Sequence, residues 1–237
     1  LRYEEWEEAR KILEPVLERD PDDASALSMA GMARTLEPNC GWRPSDPEDR
    51  EEAIRLLRKA VRLKPTSEFA HAVLALALLE LAEDHTGALY VSEQVIAMAP
   101  HYAQGQMARA AALIFSGSVE EGTELALKAI EPLKTLRLFS QNAAYLMTGL
   151  LLSRRHQEVL TWGQMVNQRV ENVPRNLLLM ASAAAHANDD AVARDCVAAL
   201  IAGHPDLSLE RMRVWPLKRE GDWDHFVTGL RTAGVPE

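Results

Sequence analysis

An all-α chain built from helical hairpins is predicted by three observations. The composition is rich in alanine and leucine, strand-forming residues are sparse, and a helix-plus-proline phrase recurs along the chain. Of 237 residues, 35 are Ala and 33 Leu, while aromatic residues make up only 5%. Ala and Leu favour helix, and the aromatic and β-branched residues that fill strands are too few for a large sheet. The recurring phrase appears as Ala9-x3-Leu13-x2-Val16-x4-Pro21, Ala53-x3-Leu57-x2-Ala60-x4-Pro65, Ala88-x3-Ser92-x2-Val95-x4-Pro100 and Ala193-x3-Val197-x2-Leu200-x4-Pro205. Small or apolar residues three and four apart make one buried helical stripe, and the proline that follows cannot extend the helix.

In chain order, the first phrase defines a lone helix over 3–19. Its stripe of Trp6, Ala9, Leu13 and Val16 requires a mate, either upstream of Leu1 or in a neighbouring molecule. Pairs of helices follow at 23–63, 67–98, 102–134, 138–172 and 174–203. In them, segments such as Leu27-x2-Ala30-Gly31 and Leu177-x2-Met180-Ala181 place small residues where two helices approach closely. Pro65 and Pro100 lie 35 residues apart, and Pro21 and Pro65 lie 44 apart because about ten residues are inserted between them. That insertion, 37–47, carries Pro38, Gly41, Pro44 and Pro47 and is expected to be non-helical. Ser45 or Asp46 then caps the next helix, and Pro47 suits its first turn. The pairs between Pro100 and Pro205 are more degenerate, with Tyr145-x2-Thr148-Gly149-x2-Leu152 opening one of them. Residues 1–205 thus form the repeat array, and 206–237 form a tail with a closing helix from Asp222 through Phe226, Gly229 and Ala233.

This pattern resembles the tetratricopeptide repeat (TPR), whose W-x2-L-G-x2-Y, A-x3-F and P positions recur every 34 residues. The resemblance implies a right-handed α-α superhelix, a TPR solenoid of about five helix pairs with a leading orphan helix and a C-terminal capping helix. With the insertion and the tail phrase Gly229-Leu-Arg-x-Ala-Gly-Val-Pro-Glu237, the chain looks like the C-terminal TPR region of bacterial class III adenylate or guanylate cyclases. It is similar also to that of winged-helix TPR transcriptional activators. Either resemblance implies an effector domain upstream of Leu1, and a segment that serves regulation and protein interaction in signal transduction.

Charge and motifs exclude other classes. A net charge of −9 repels phosphate backbones and anionic lipid, and Arg154-Arg155 and Arg211-x-Arg213 with Lys218-Arg219 are short enough to be solvated helix faces. No apolar run reaches the roughly 18 residues of a membrane span. Cys40 and Cys196 provide neither a disulfide framework nor metal-ligand spacing, which suits a cytoplasmic setting; Cys40 alone in the insertion lacks a resolving partner. Phosphate-loop, dinucleotide, zinc-hydrolase and nucleophile-elbow motifs are absent, so no enzymatic activity and no cofactor are expected. No two of the seven histidines, at 71, 85, 101, 156, 186, 204 and 225, stand four apart, so no metal site is expected. The acidic runs at 4–8 and 46–52 lie in first helical turns, where they complement the helix dipole.

In the TPR family the first helix of each pair lines a concave groove that takes peptides. Carried onto this sequence, the groove residues are Phe69, Ala72, Leu76 and Leu79, then Met107, Ala111, Ile114 and Phe115, then Leu146 and Leu150. A slip of one or two positions would turn the same residues into core. These positions hold no Lys and no Asn, which excludes the family's carboxylate clamp. The groove instead suits an amphipathic helix from a partner protein, from a second copy in a homodimer, or from the chain's own tail around Trp215, Trp223, Phe226 and Leu230. Arg109 falls where an apolar residue is expected, so either the register slips there or Arg109 makes a buried ion pair, with Glu124 as the candidate partner.

Overall fold

The computed structural model describes residues 3–41, 46–136, 138–210 and 215–237, with their side chains except at 3–7 and 37–41. Among the described residues there are twelve α-helices and no strand. They are α1 (Tyr3–Arg19), α2 (Ala24–Gly41), α3 (Pro47–Leu63), α4 (Glu68–Ala82), α5 (His85–Met98), α6 (Ala103–Phe115), α7 (Val119–Leu133), α8 (Phe139–Leu152), α9 (His156–Asn167), α10 (Pro174–His186), α11 (Asp190–Gly203) and α12 (Glu220–Ala233). Within each of the chain's two compact units the helices pair as the repeat requires, α2 with α3, α4 with α5, α8 with α9 and α10 with α11. All four marker prolines, Pro21, Pro65, Pro100 and Pro205, stand two residues beyond the end of a helix. The chain divides into two compact units, residues 1–113 and 114–237, with the division inside the last turn of α6.

In the N-terminal unit each helix packs on the next from α1 to α5, and the first helices α2 and α4 also lie against each other. One core cluster joins Leu27, Ala30, Leu56, Ala60 and Ala70. Leu13 and Leu17 of α1 pack against it and α1 lies on α2, while Val16 of the expected stripe faces out beside Ile12. Trp6 lies outside the described side chains. Gly31 is required by close packing: a Cβ there would come 2.5 Å from Leu57 Cγ.

Helix ends follow from local chemistry. The Asp46 carboxylate accepts from Glu48 N and Pro47 opens α3, while Ser67, Asp84 and Asp189 cap α4, α5 and α11 through their side chains. The Pro- and Gly-rich insertion begins later than its composition predicts, because α2 carries on through Pro38 to Gly41. Inside a helix a proline costs one backbone hydrogen bond and a clash with the carbonyl four residues back, which disfavours the helix without always ending it, and Pro15 of α1 and Pro132 of α7 are likewise helical. Cys40 and Trp42 fall outside the described side chains.

In the C-terminal unit α7 to α11 pack in sequence, α8 lies against α10, and the tail helix α12 lies on α10, with edges on α8 and α11. The consequence is burial on every side. Thirteen of the fourteen residues of α8 and twelve of the thirteen of α10 are buried. No described helix is long and apolar enough to cross a membrane.

Candidate functional site

All ten predicted groove residues sit on first helices of pairs, but only two of them reach the surface. Phe69 and Leu76, seven residues apart on one face of α4, are half-buried. Ala72 and Leu79 of α4 and Met107 and Ala111 of α6 are buried in the N-terminal unit, and Ile114, Phe115, Leu146 and Leu150 are buried in the C-terminal unit. Those eight are core side chains. The reason is that first helices are apolar nearly all round, so the apolar stripe does not say which side is open. On the N-terminal unit Met29 of α2 is exposed, and Glu80 shares the open face of α4 with Phe69 and Leu76.

In the C-terminal unit the chain's own tail covers the first helices. Residues 215–219 anchor it before the helix begins: Lys218 N donates to Phe115 O (3.0 Å), and Arg219 Nη1 donates to Gly117 O (3.2 Å). Trp215 then stacks on Phe226 with centroids 4.5 Å apart, and Trp223 meets Phe226 edge-on at 5.9 Å. Beneath them lies Arg175, 5% exposed, its guanidinium carbon 5.1 Å from the ring centres of both Tyr145 and Trp215. Phe226 and Leu230 are buried. Ser182 Oγ donates to Phe226 O (3.0 Å), and at Gly229 a Cβ would stand 2.7 Å from the carbonyl oxygen of Ser182, so only glycine allows this approach. Gly234 ends α12 in the left-handed region, Val235 N returns to Leu230 O, and Leu209 N donates to Pro236 O (2.8 Å). The tail phrase Gly229–Glu237 therefore works as a helix-seating and helix-closing segment, with Arg231 and Glu237 paired at 2.6 Å.

Arg109 does not pair with Glu124. Its guanidinium reaches the Leu89 carbonyl (2.8 Å) and Glu93 (2.7 Å) on α5, and Glu124 instead accepts from Arg155 (2.9 Å). A register reading places Arg109 on the helix face but cannot tell which neighbour it meets.

Three histidines that are far apart in sequence come together at the edge of α12. His156 begins α9, His186 ends α10 and His225 lies in the middle of α12. Their ring centres are 5.0 Å (156–186), 5.5 Å (156–225) and 3.9 Å (186–225) apart, with interplanar angles of 17–27°. Burial lowers the pKa of His156, as do the charges of His186 and Arg154, and burial followed by Arg154 lowers that of His186. The rings stack, and among the described residues no group of three His, Cys, Asp or Glu is arranged to hold a metal ion. No i,i+4 spacing signals this cluster, because its members come from three helices.

No protein-family profile matches the chain. Over 132 residues it is 31% identical to human antiviral innate immune response effector IFIT1, covering 55% of this chain and 27% of that protein. It thus spans about a quarter of the length of that curated relative. Among solved structures, a human IFIT1 dimer with m7Gppp-AAAA superposes with a TM-score of 0.67 at 18% identity, covering 83% of this chain and 46% of that one. Pseudomonas aeruginosa pilF gives 0.59 at 18% identity, over 87% and 90% of the two chains. YrrB, a TPR protein with an unusual peptide-binding site, gives 0.50 at 13% identity, over 82% and 93%. These likenesses, with the twelve helices, establish an all-α helical-repeat fold of the tetratricopeptide type.

Proposed function

We propose that this chain is a non-catalytic protein-interaction module that binds an amphipathic helical peptide on the first helices of its N-terminal unit. The observation that carries this reading is inside the molecule. The first helices of the C-terminal unit hold an amphipathic helix, α12, through Phe226 and Leu230. The N-terminal unit offers the same class of helix with Met29, Phe69 and Leu76 partly open, a surface suited to the apolar stripe of a helical peptide. The peptide-binding site of YrrB supports the reading by analogy of fold. The IFIT1 structure holds a capped RNA, but a net charge of −9 argues for a polypeptide partner here.

The finer setting rests on the insertion 37–47 together with the tail phrase Gly229–Glu237. Their resemblance supports a regulatory array at the C-terminal end of a bacterial adenylate or guanylate cyclase in the cytoplasm, with a winged-helix transcriptional regulator as the alternative. The test of binding is selection of helical peptides from a displayed library on the wild-type chain and on a Phe69→Glu/Leu76→Glu variant shown to be folded by circular dichroism. Enriched peptides with apolar residues at i, i+3, i+4 and i+7, lost on the variant, support the site. Equal enrichment on both proteins overturns it.

A further inference from the structure

The seat of α12 has one polar edge, and that edge is made of titratable rings. His156 Nε2 and His225 Nε2 stand 3.3 Å apart, so one ring donates and the other accepts through an unprotonated nitrogen. His186 Nε2 lies 2.9 Å from the His225 carbonyl, which only accepts, so that nitrogen carries a hydrogen. All three rings are only partly buried. Next to them a cavity of about 330 Å³ is lined by Arg154, Arg155, His156, Gln157, Glu158 and Ala187, which gives protons a route from solvent.

We propose that His156, His186 and His225 form a proton-operated latch: with neutral rings it holds α12 on α10, and with a second proton bound it releases α12 and uncovers the apolar faces of α8 and α10. The first proton is tolerated, because an N–H⁺···N bond between His156 and His225 still has a donor and an acceptor. The second is not. On the His156–His225 pair it sets N–H against N–H at 3.3 Å, and on His186 it still places two cations in rings stacked 3.9–5.5 Å apart.

The surrounding charges do not relieve this. Arg154, in the turn before α9, adds positive charge toward His156 and His186. Arg155 is engaged with Glu158 of α9 and Glu124 of α7. On the α12 side Asp222 is 3.5 Å from Arg219 and also senses Arg154 and Glu120 of α7, while Glu220 and Asp224, the latter next in sequence to His225, are exposed and screened by solvent. Asp189, at the start of α11, caps Val192 N. The only titratable side chain on α8 is Tyr145, and the only other one on α10 is Arg175 at its far end. The depressed affinity of His156 and His186 agrees in sign: the released state takes up protons more readily, so docking is strongest above about pH 6.5 and is lost as pH falls below it.

The latch does not rest on the partner assigned to α2 and α4. It is tested on the full chain by amide hydrogen exchange corrected for intrinsic rates, at pH 7.5 and pH 5.0, with wild type, His225→Gln and His156→Gln. Glutamine keeps a hydrogen-bonding amide and does not titrate. In wild type, protection across 220–233 is expected to fall roughly ten-fold or more at the lower pH while α4 and α5 keep theirs; in each variant the fall should shrink to a few-fold. If one variant fails to dock α12 at pH 7.5, the other decides. Wild-type protection that is the same at both pH values overturns the latch. So does an undiminished fall in the variants, which would place the effect outside the three rings; Asp222, whose carboxyl is pushed up by burial, favours docking at low pH and acts in the opposite direction.

Discussion

Trp215 and Phe226 lie ring on ring, 4.5 Å between centroids and 16° from parallel, over a buried arginine. The pair joins the chain entering α12 to the helix itself, so helix and leader dock as one body on α8 and α10. Phe226 is among the largest fully buried side chains of the molecule. Phe226→Ala is therefore expected to destabilise the C-terminal unit by about 3–5 kcal/mol, the usual range for emptying a buried aromatic site. Tyr90→Ala, at a residue 66% exposed, is expected to change stability by less than about 0.5 kcal/mol. Urea denaturation of both variants makes the comparison, and a loss below about 1 kcal/mol for Phe226→Ala would mean that α12 is not a structural part of its unit.

Two glycines of the same helix should respond in opposite directions to alanine. At Gly229 the new Cβ meets the Ser182 hydroxyl, the Ser182 backbone oxygen at 2.7 Å and His186 Nε2 at 2.8 Å, so α12 has to lift from α10. A loss of about 1–3 kcal/mol is expected. At Gly221 nothing lies within 4 Å and the residue is helical, so alanine is expected to stabilise by about 0.4–1 kcal/mol through the unfolded state. Thermal melts of the two single variants should move apart, and melts that move together would argue against the tight α12–α10 approach.

The fold was legible because its signals are local. Alanine-rich stripes and a proline two residues past the end of α1, α3, α5 and α11 mark helices whatever they pack against. The open face was not legible, because α8 and α10 are buried all round and a stripe has no meaning on a helix without a wet side. Apolar tail residues around Trp215 and Phe226 suggested an occupant for a groove, but only the packing shows the tail on α8 and α10. The histidine cluster depends on the first residue of α9 meeting the last of α10, which is a property of how successive pairs stack and is not written in either segment.

Arg109 shows how the repeat accommodates a charge at an apolar position. Its side chain is 19% exposed, and it gives one nitrogen to the Leu89 carbonyl and another to Glu93, itself 65% exposed. The ion pair is a surface one and should be worth less than about 1 kcal/mol. The bond to the Leu89 carbonyl lies deeper, and losing it should cost about 1–2 kcal/mol. Arg109→Met is thus expected to destabilise clearly more than Glu93→Gln, by chemical denaturation at matched ionic strength. Equal effects would show that the carboxylate, and not the carbonyl, is what holds the guanidinium.

Cys196, buried on α11, should be nearly inert in the folded chain. Burial, then the charges of Asp195 and Asp189, push its thiol up to about 11. At pH 8 only about one thiol in a thousand is then ionised, against about a tenth of the unfolded cysteine, so alkylation should be roughly a hundred-fold slower than in urea. A Cys40→Ser background isolates the site, and iodoacetamide labelling followed by mass provides the rate. The same shift makes the folded state prefer the neutral thiol. Its stabilising contribution is full below the unfolded pKa and is lost as pH rises from about 9 through 11, because the unfolded chain gives up its proton first. Native labelling as fast as in urea at pH 8 would place Cys196 at the surface and open α11 to solvent. Slow labelling that accelerates only with unfolding ties the thiol to the packing of α11 on α10.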